Sequence, residues 1–134
     1  MSIVYLDSSV ALRTILDVPE RPHLHQWILK LKPALVSSRL LRTEVIRTLR
    51  RDRRALSEAD QLLTRVGMLE LTQETHTVAE SIERHVKALD ALHLATALLI
   101  GEQVTVATHD AQMRSAAEHL GLRVVDPVLE VGHG

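Results

Sequence analysis

The apolar positions of this chain fall into two kinds of run that take turns along its length. Short runs without helical period, at residues 2–6, 34–36, 68–71, 104–108 and 123–125, predict strands. Between them, apolar residues recur every three or four positions and predict helices. Val10, Ala11, Thr14 and Ile15 define one helix over residues 8–16, and Leu24, Trp27, Ile28 and Leu31 a second over 23–32. Val18-Pro19-Glu20-Arg21-Pro22 interrupts the two, because prolines so closely spaced cannot continue a helix, and Pro33 stops the second. Ser37 or Ser38 can cap a third helix, running through Leu40, Leu41, Val45, Ile46 and Leu49 to about Arg54. Ser57-Glu58-Ala59-Asp60 opens a fourth, carried by Leu62, Leu63 and Val66 and ended near Gly67. Val78, Ala79 and Ile82 place a fifth over 75–86; an apolar helix over 90–100 ends at Gly101, and one over 111–120 ends at Gly121.

Strands separated by helices of this length imply right-handed crossovers and a mainly parallel sheet covered on both faces, an α/β fold of three layers, α/β/α. The 134 residues fit one domain, 1–134, able to bury about two thirds of the surface of its unfolded chain. No repeat, low-complexity segment or linker breaks the pattern, and only the tail after Pro127 reads as loose. In open sheets of this kind ligands bind beyond the carboxyl ends of the strands, at a point where the strand order reverses.

Composition narrows what such a site can be. With one Trp, one Tyr and no Phe, the core must come from Leu, Val, Ile and Ala, and aromatic platforms for stacking nucleic-acid bases are nearly absent. The absence of cysteine excludes disulfides, thiolate metal sites and a cysteine nucleophile, so any metal is held by oxygen or imidazole. The N-terminus lacks the pattern of a signal peptide, and no apolar run approaches the roughly 18 residues of a membrane span, so the chain reads as soluble and cytoplasmic. The net charge of -1 hides an uneven distribution. Arg39, Arg42, Arg47, Arg50, Arg51, Arg53 and Arg54 face only Glu44 and Asp52 in the same stretch, making a basic helix on a near-neutral protein. It is either a solvated face or a surface for phosphate or carboxylate groups, which guanidinium binds bidentately.

Four acids stand where chemistry is expected. Asp7 and Asp110 follow the two clearest strands, Asp90 opens the apolar helix, and Glu44 lies in the first turns of the helix after the second strand. Singly, each has an ordinary explanation: Asp7, Asp90 and Asp110 sit where an N-cap is wanted, and Glu44 can pair with Arg47 one turn on. Together they are harder to explain, because two carboxylates about 4 Å apart repel by roughly 4 kcal/mol at an effective dielectric of about 20. A cation offsets that cost, and all-oxygen ligation suits Mg²⁺ or Mn²⁺. Such an ion can lower the pKa of a water and neutralise charge on a phosphate under attack.

At these positions the chain resembles the PIN-domain ribonucleases, and among them the VapC toxins of type II toxin–antitoxin (VapBC) systems. The resemblance is carried in order by Tyr5-Leu6-Asp7-Ser8-Ser9, Arg42-Thr43-Glu44-Val45, Leu89-Asp90-Ala91-Leu92-His93-Leu94-Ala95, Thr108-His109-Asp110 and Gly121-Leu122-Arg123-Val124-Val125. It implies an acidic pocket of Asp7, Glu44, Asp90 and Asp110, with Asp7 and Asp90 the most direct ligands of a Mg²⁺ ion and Thr108 and Ser8 positioning waters or acids beside them. The implied reaction is hydrolysis of an RNA phosphodiester, leaving a 3′-hydroxyl and a 5′-phosphate, with Glu44 and Asp110 orienting the water and nearby arginines holding the RNA backbone.

The resemblance also implies partners: a VapB-like antitoxin packed along a groove that reaches the pocket, and a homodimer. Leu40, Leu41, Val45 and Leu49 either line that groove or pack into the core. His93, on a helix rich in Ala and Leu, reads as a packed, hydrogen-bonded histidine and not as a ligand, and His109 as turned away from Asp110. A PIN nuclease outside toxin–antitoxin systems, a phosphotransfer enzyme with an Asp after its first strand, and a non-catalytic interaction module are the alternatives. The phosphotransfer reading is weakened by the lysines, of which there are only Lys30, Lys32 and Lys87.

Overall fold

Alternation along the first strand decides how the layers form. In β1 (Ile3–Leu6) Val4 and Leu6 belong to one core and Ile3 and Tyr5 to another, as the period of two in a strand requires. β1 is the middle strand of a parallel five-stranded sheet completed by β2 (Leu35–Ser38), β3 (Gly67–Leu69), β4 (Val104–Ala107) and β5 (Arg123–Val125), in the order β3-β2-β1-β4-β5. The order reverses at β1, which pairs Val4 with Leu35 on one side and with Thr105 on the other. The computed structural model describes residues 3–31, 34–101 and 103–131.

The helices divide between the two faces. α1 (Ser8–Ala11), α2 (Arg21–Lys30), α3 (Arg39–Arg51) and α4 (Asp60–Arg65) close over Val4, Leu6 and Leu35 with Val10, Leu24, Ile28, Leu41, Val45, Leu49 and Leu62. The other core joins Tyr5, Val104 and Val106 to Ala97 of α6 (Ala88–Leu99). It continues through Leu94 to Met113, Ala116 and Ala117 of α7 (Ala111–His119), while α5 (Gln73–Ser81) packs along α6. The expected three-layer α/β/α fold is thus present. Leu41, Val45 and Leu49, one turn apart on α3, are fully buried, each worth about 2 kcal/mol of apolar transfer. They form core, so they line no groove for a partner.

Several elements depart from the expected bounds for identifiable reasons. The helix expected over 8–16 is α helix only to Ala11 and continues as a 3₁₀ turn, Leu12–Thr14. α2 starts at Arg21, since a proline in the first turn loses no intrahelical bond and Pro22 fits there. β2 extends through Ser38, whose Oγ then accepts the Leu40 N–H as cap of α3. α5 starts early on a reciprocal Thr72–Thr75 capping box and ends at Ser81 instead of 86. The supposedly loose tail forms α8 (Pro127–Val131), whose first turn is capped by Asp126 Oδ1 accepting from the Val128 and Leu129 N–H groups, and which packs on α2. Ser2, Lys32 and Pro33, which entered the expected elements, lie outside the described residues.

α3 ends in a Schellman motif: the Arg54 N–H donates to Leu49 O at 2.8 Å and the Arg53 N–H to Arg50 O at 3.1 Å. Arg53 thereby takes a φ of 56°, the left-handed region that glycine occupies without steric cost. No helix among the described residues is long and apolar enough to cross a membrane.

Candidate active site

β1 ends on Asp7, whose N–H donates to Ala107 O at 3.0 Å and ties it to the end of β4. Asp7 occupies the N-cap position of α1 but its side chain caps nothing. Its Oδ2 accepts from Ser9 Oγ at 2.7 Å and Thr108 Oγ1 at 2.8 Å, and its Oδ1 is buried without a partner among the described residues. An acceptor left this way is costly unless something positive or protic occupies the space before it.

Asp110 does act as a cap, its Oδ1 accepting from the Gln112 and Met113 N–H groups at 2.8 and 3.0 Å at the start of α7. Asp90 does not: Lys87 is the N-cap of α6, and Asp90 sits in the first turn with no hydrogen bond to its side chain among the described residues. Its carboxyl is pushed up to about 6, first by burial, then by the negative charges of Asp7 and Asp110 and less by Glu44, with His93 acting in the opposite sense. Glu44 is not paired with Arg47; its Oε1 faces His93 Nε2 at 2.5 Å.

Asp7, Asp110 and Glu44 lie close enough to Asp90, at the carboxyl edge of the sheet, for their charges to act on it. As they stand, no three His, Cys, Asp or Glu side chains among the described residues are gathered tightly enough to hold an ion together. The hydrogen bonds explain the spacing: Glu44 is drawn to His93, Asp110 to the α7 amides, and Asp7 Oδ2 to two hydroxyls. The atoms left over, Asp7 Oδ1 and the Asp90 carboxyl, are hard oxygen donors on a site that repels its own charge. That donor set fits a divalent cation.

Around the acids lies a further group of contacts that the sequence revealed only in part. His93 is the packed histidine expected, fully buried, with Nδ1 at 2.7 Å from Tyr5 Oη. Tyr5 Oη also accepts the Ser38 N–H at 3.1 Å, and burial pushes its phenol up to about 12. Thr108 supports Asp7 as expected, but its companion is Ser9 and not Ser8. Ser9 Oγ also accepts the His109 N–H, while His109 Nδ1 bonds Asp126 Oδ2 at 2.8 Å. Asp126 belongs to this network without standing out in the sequence, and Tyr5 and Ser9 stand out there only as members of the motif around Asp7, with no role of their own. The signals were slight: a hydroxyl two residues after Asp7, the lone Tyr of the chain on a buried strand, and an acid immediately before a proline.

The basic helix is partly neutralised. Arg51 pairs with Asp52, and Arg54 bridges Asp17 and Glu58. Arg39, Arg42, Arg47, Arg50 and Arg53 are exposed, with no ion pair among the described residues.

Acids at the edge where a parallel sheet reverses its order define an α/β domain with an acidic cleft. Residues 4–119 match the family model of the PIN domain, and the chain belongs to that family. Ribonuclease VapC46 of Mycobacterium tuberculosis is 34% identical to it, over 95% of this chain and 99% of that one. A toxin–antitoxin complex from Klebsiella pneumoniae superposes with a TM-score of 0.72 at 19% identity, covering 94% of this chain and 98% of that one. VapBC2 from Rickettsia felis, bound to a DNA fragment of its promoter, gives 0.75 at 13% identity, covering 92% and 97%. The last two show the shared fold.

Proposed function

We propose that the chain is a single-domain, metal-dependent endoribonuclease, the toxin of a type II toxin–antitoxin pair. One observation carries the reading: Asp7 Oδ1 is buried without a partner among the described residues, and its charge acts on an Asp90 carboxyl raised to about 6 by burial and by the charges of Asp7, Asp110 and Glu44. The identity to Ribonuclease VapC46 supports RNA as the substrate. Asp7 and Asp90 are the residues to hold Mg²⁺, or Mn²⁺, with Glu44 and Asp110 completing the pocket. When bound, the ion supplies Lewis acidity at the phosphate and lowers the pKa of the attacking water.

The chain's own residues do the rest. Ser9 and Thr108 hold Asp7 Oδ2, so Oδ1 keeps its direction. His93 holds Glu44 from the opposite layer. The unpaired arginines of α3 begin next to Ser38 at the same sheet edge and offer phosphate contacts along the helix. A VapB-like antitoxin and a homodimer are the proposed assemblies. A cavity of about 260 Å³ between α2 and α4, with Ile15, Ile28, Leu29 and Leu62 in its lining and Arg21 and Arg65 among its charged groups, suits an amphipathic antitoxin segment.

The deciding experiment is RNA cleavage with and without EDTA, for the wild type and Asp7→Asn, with the 5′ ends of the fragments sequenced. The expected result is cleavage by the wild type with metal and none by the variant, both being folded. Cleavage that persists in EDTA, or full activity in Asp7→Asn, overturns the proposal.

A further inference from the structure

Among the four acids, Glu44 alone has its carboxylate held by a side chain from the opposite layer. α3 packs on the face of Leu6 and α6 on the face of Tyr5, yet His93 of α6 reaches Glu44 of α3 at the sheet edge. The contacts favour one arrangement of the protons. The Ser38 N–H occupies one acceptor site of Tyr5 Oη. The phenol proton points to His93 Nδ1 at 2.7 Å, which must then be the bare nitrogen of the ring. The ring proton is left on Nε2, facing Glu44 Oε1. In the other neutral tautomer Nδ1–H would compete with the Ser38 N–H for the phenol oxygen, and the Nε2 lone pair would face a carboxylate, a repulsive contact.

We propose that Tyr5 and His93 form a positioning pair: Tyr5 sets the His93 tautomer so that Nε2–H fixes Glu44 Oε1 and leaves Oε2 uncommitted for the acidic site. Ser38 joins both ends of the device. Its N–H anchors the Tyr5 oxygen, and its Oγ caps the helix that carries Glu44. Neither Tyr5 nor His93 touches substrate; both act through Glu44. The inference rests on the nuclease reading for what Glu44 then does, but not for the tautomer.

The tautomer is read first, by long-range ¹H–¹⁵N NMR of the metal-free wild type without RNA. His93 as the Nε2–H form is expected, and the Nδ1–H form or the doubly protonated ring overturns the pair whether or not the protein cuts RNA. Tyr5→Phe, which removes one oxygen from a ring that stays in the core, is expected to give a mixture of tautomers. Mn²⁺ affinity by calorimetry, or the RNA cleavage rate at saturating RNA, should fall on the order of tenfold, as happens when the residues that orient a metal's ligands are changed. His93→Gln keeps an N–H for Glu44 and should recover most of what His93→Leu loses. In a Glu44→Gln background both changes should have no further effect; an undiminished effect there means a merely structural role and overturns the pair. If Tyr5→Phe does not fold, the wild-type tautomer and the two His93 variants decide. Absence of metal-dependent cleavage in the wild type would refute the nuclease reading and leave the tautomer result standing.

Discussion

Thr108 donates its hydroxyl proton to Asp7 Oδ2 across 2.8 Å, joining the ends of two neighbouring strands at the point where the sheet order reverses. The same Oγ1 accepts the Asp110 N–H at 3.1 Å, so one buried hydroxyl serves two of the four acids. Thr108→Val keeps the shape and removes the hydroxyl, leaving a buried amide unpaired. Chemical denaturation should show a loss of about 1–3 kcal/mol, and metal-dependent RNA cleavage should fall with it. Thr108→Ser should retain both.

The raised Asp90 carboxyl gives a pH dependence of definite sign. Its folded value of about 6 lies above the ordinary value of 3.8, so the folded chain binds more protons between them. The metal-free protein should therefore be most stable at the acid end of that window and lose stability as pH rises through it. Asp90→Asn should remove this dependence and be more stable at pH 7 by about 1 kcal/mol, after allowing for solvent screening of a half-buried group. Denaturant unfolding in EDTA at a series of pH values measures both. Added Mg²⁺ should stabilise the wild type and not the variant.

Arg53 sits at the left-handed position of a Schellman motif with a side chain the position disfavours. Arg53→Gly should stabilise the fold by about 1 kcal/mol, readable as a higher melting temperature. A gain of that kind would mean that the arginine is kept at some cost to the fold.

The exposed arginines of α3 make a prediction about salt. Replacing Arg47 and Arg50 with Gln should weaken RNA binding at low salt and reduce the slope of log affinity against log salt by about 0.7 for each phosphate no longer neutralised. Asp7→Asn should abolish cleavage with that slope unchanged. Filter binding over a salt series separates the two.

Local patterns carry most of the fold and the placement of two acids at the sheet edge. Asp7 and Asp110 were legible because each closely follows a short apolar run, and a strand that stops on a carboxylate points to the sheet edge. What failed were readings in which one residue can serve two purposes. Pro22 looked like a breaker and is a helix start; Asp126-Pro127 looked like the beginning of a tail and caps α8. Leu41, Val45 and Leu49 looked equally suited to a groove or a core, since periodicity shows that a face is apolar without showing what covers it. The His93–Glu44 contact was out of reach for a different reason. It joins helices distant in the chain, on opposite faces of the sheet, and only the assembled layers bring them together.

The strand order also has a consequence for how the chain is made. β1 pairs with β4, which follows it only after β2 and β3 in the chain, and Asp7 is held by Thr108. With synthesis running at about 5–20 residues per second, a chain still emerging from the ribosome carries Asp7 and Glu44 for several seconds with nothing to complete them. On the proposed reading, a site built in this order stays latent during translation until β4 and Thr108 have followed β1 out of the ribosome.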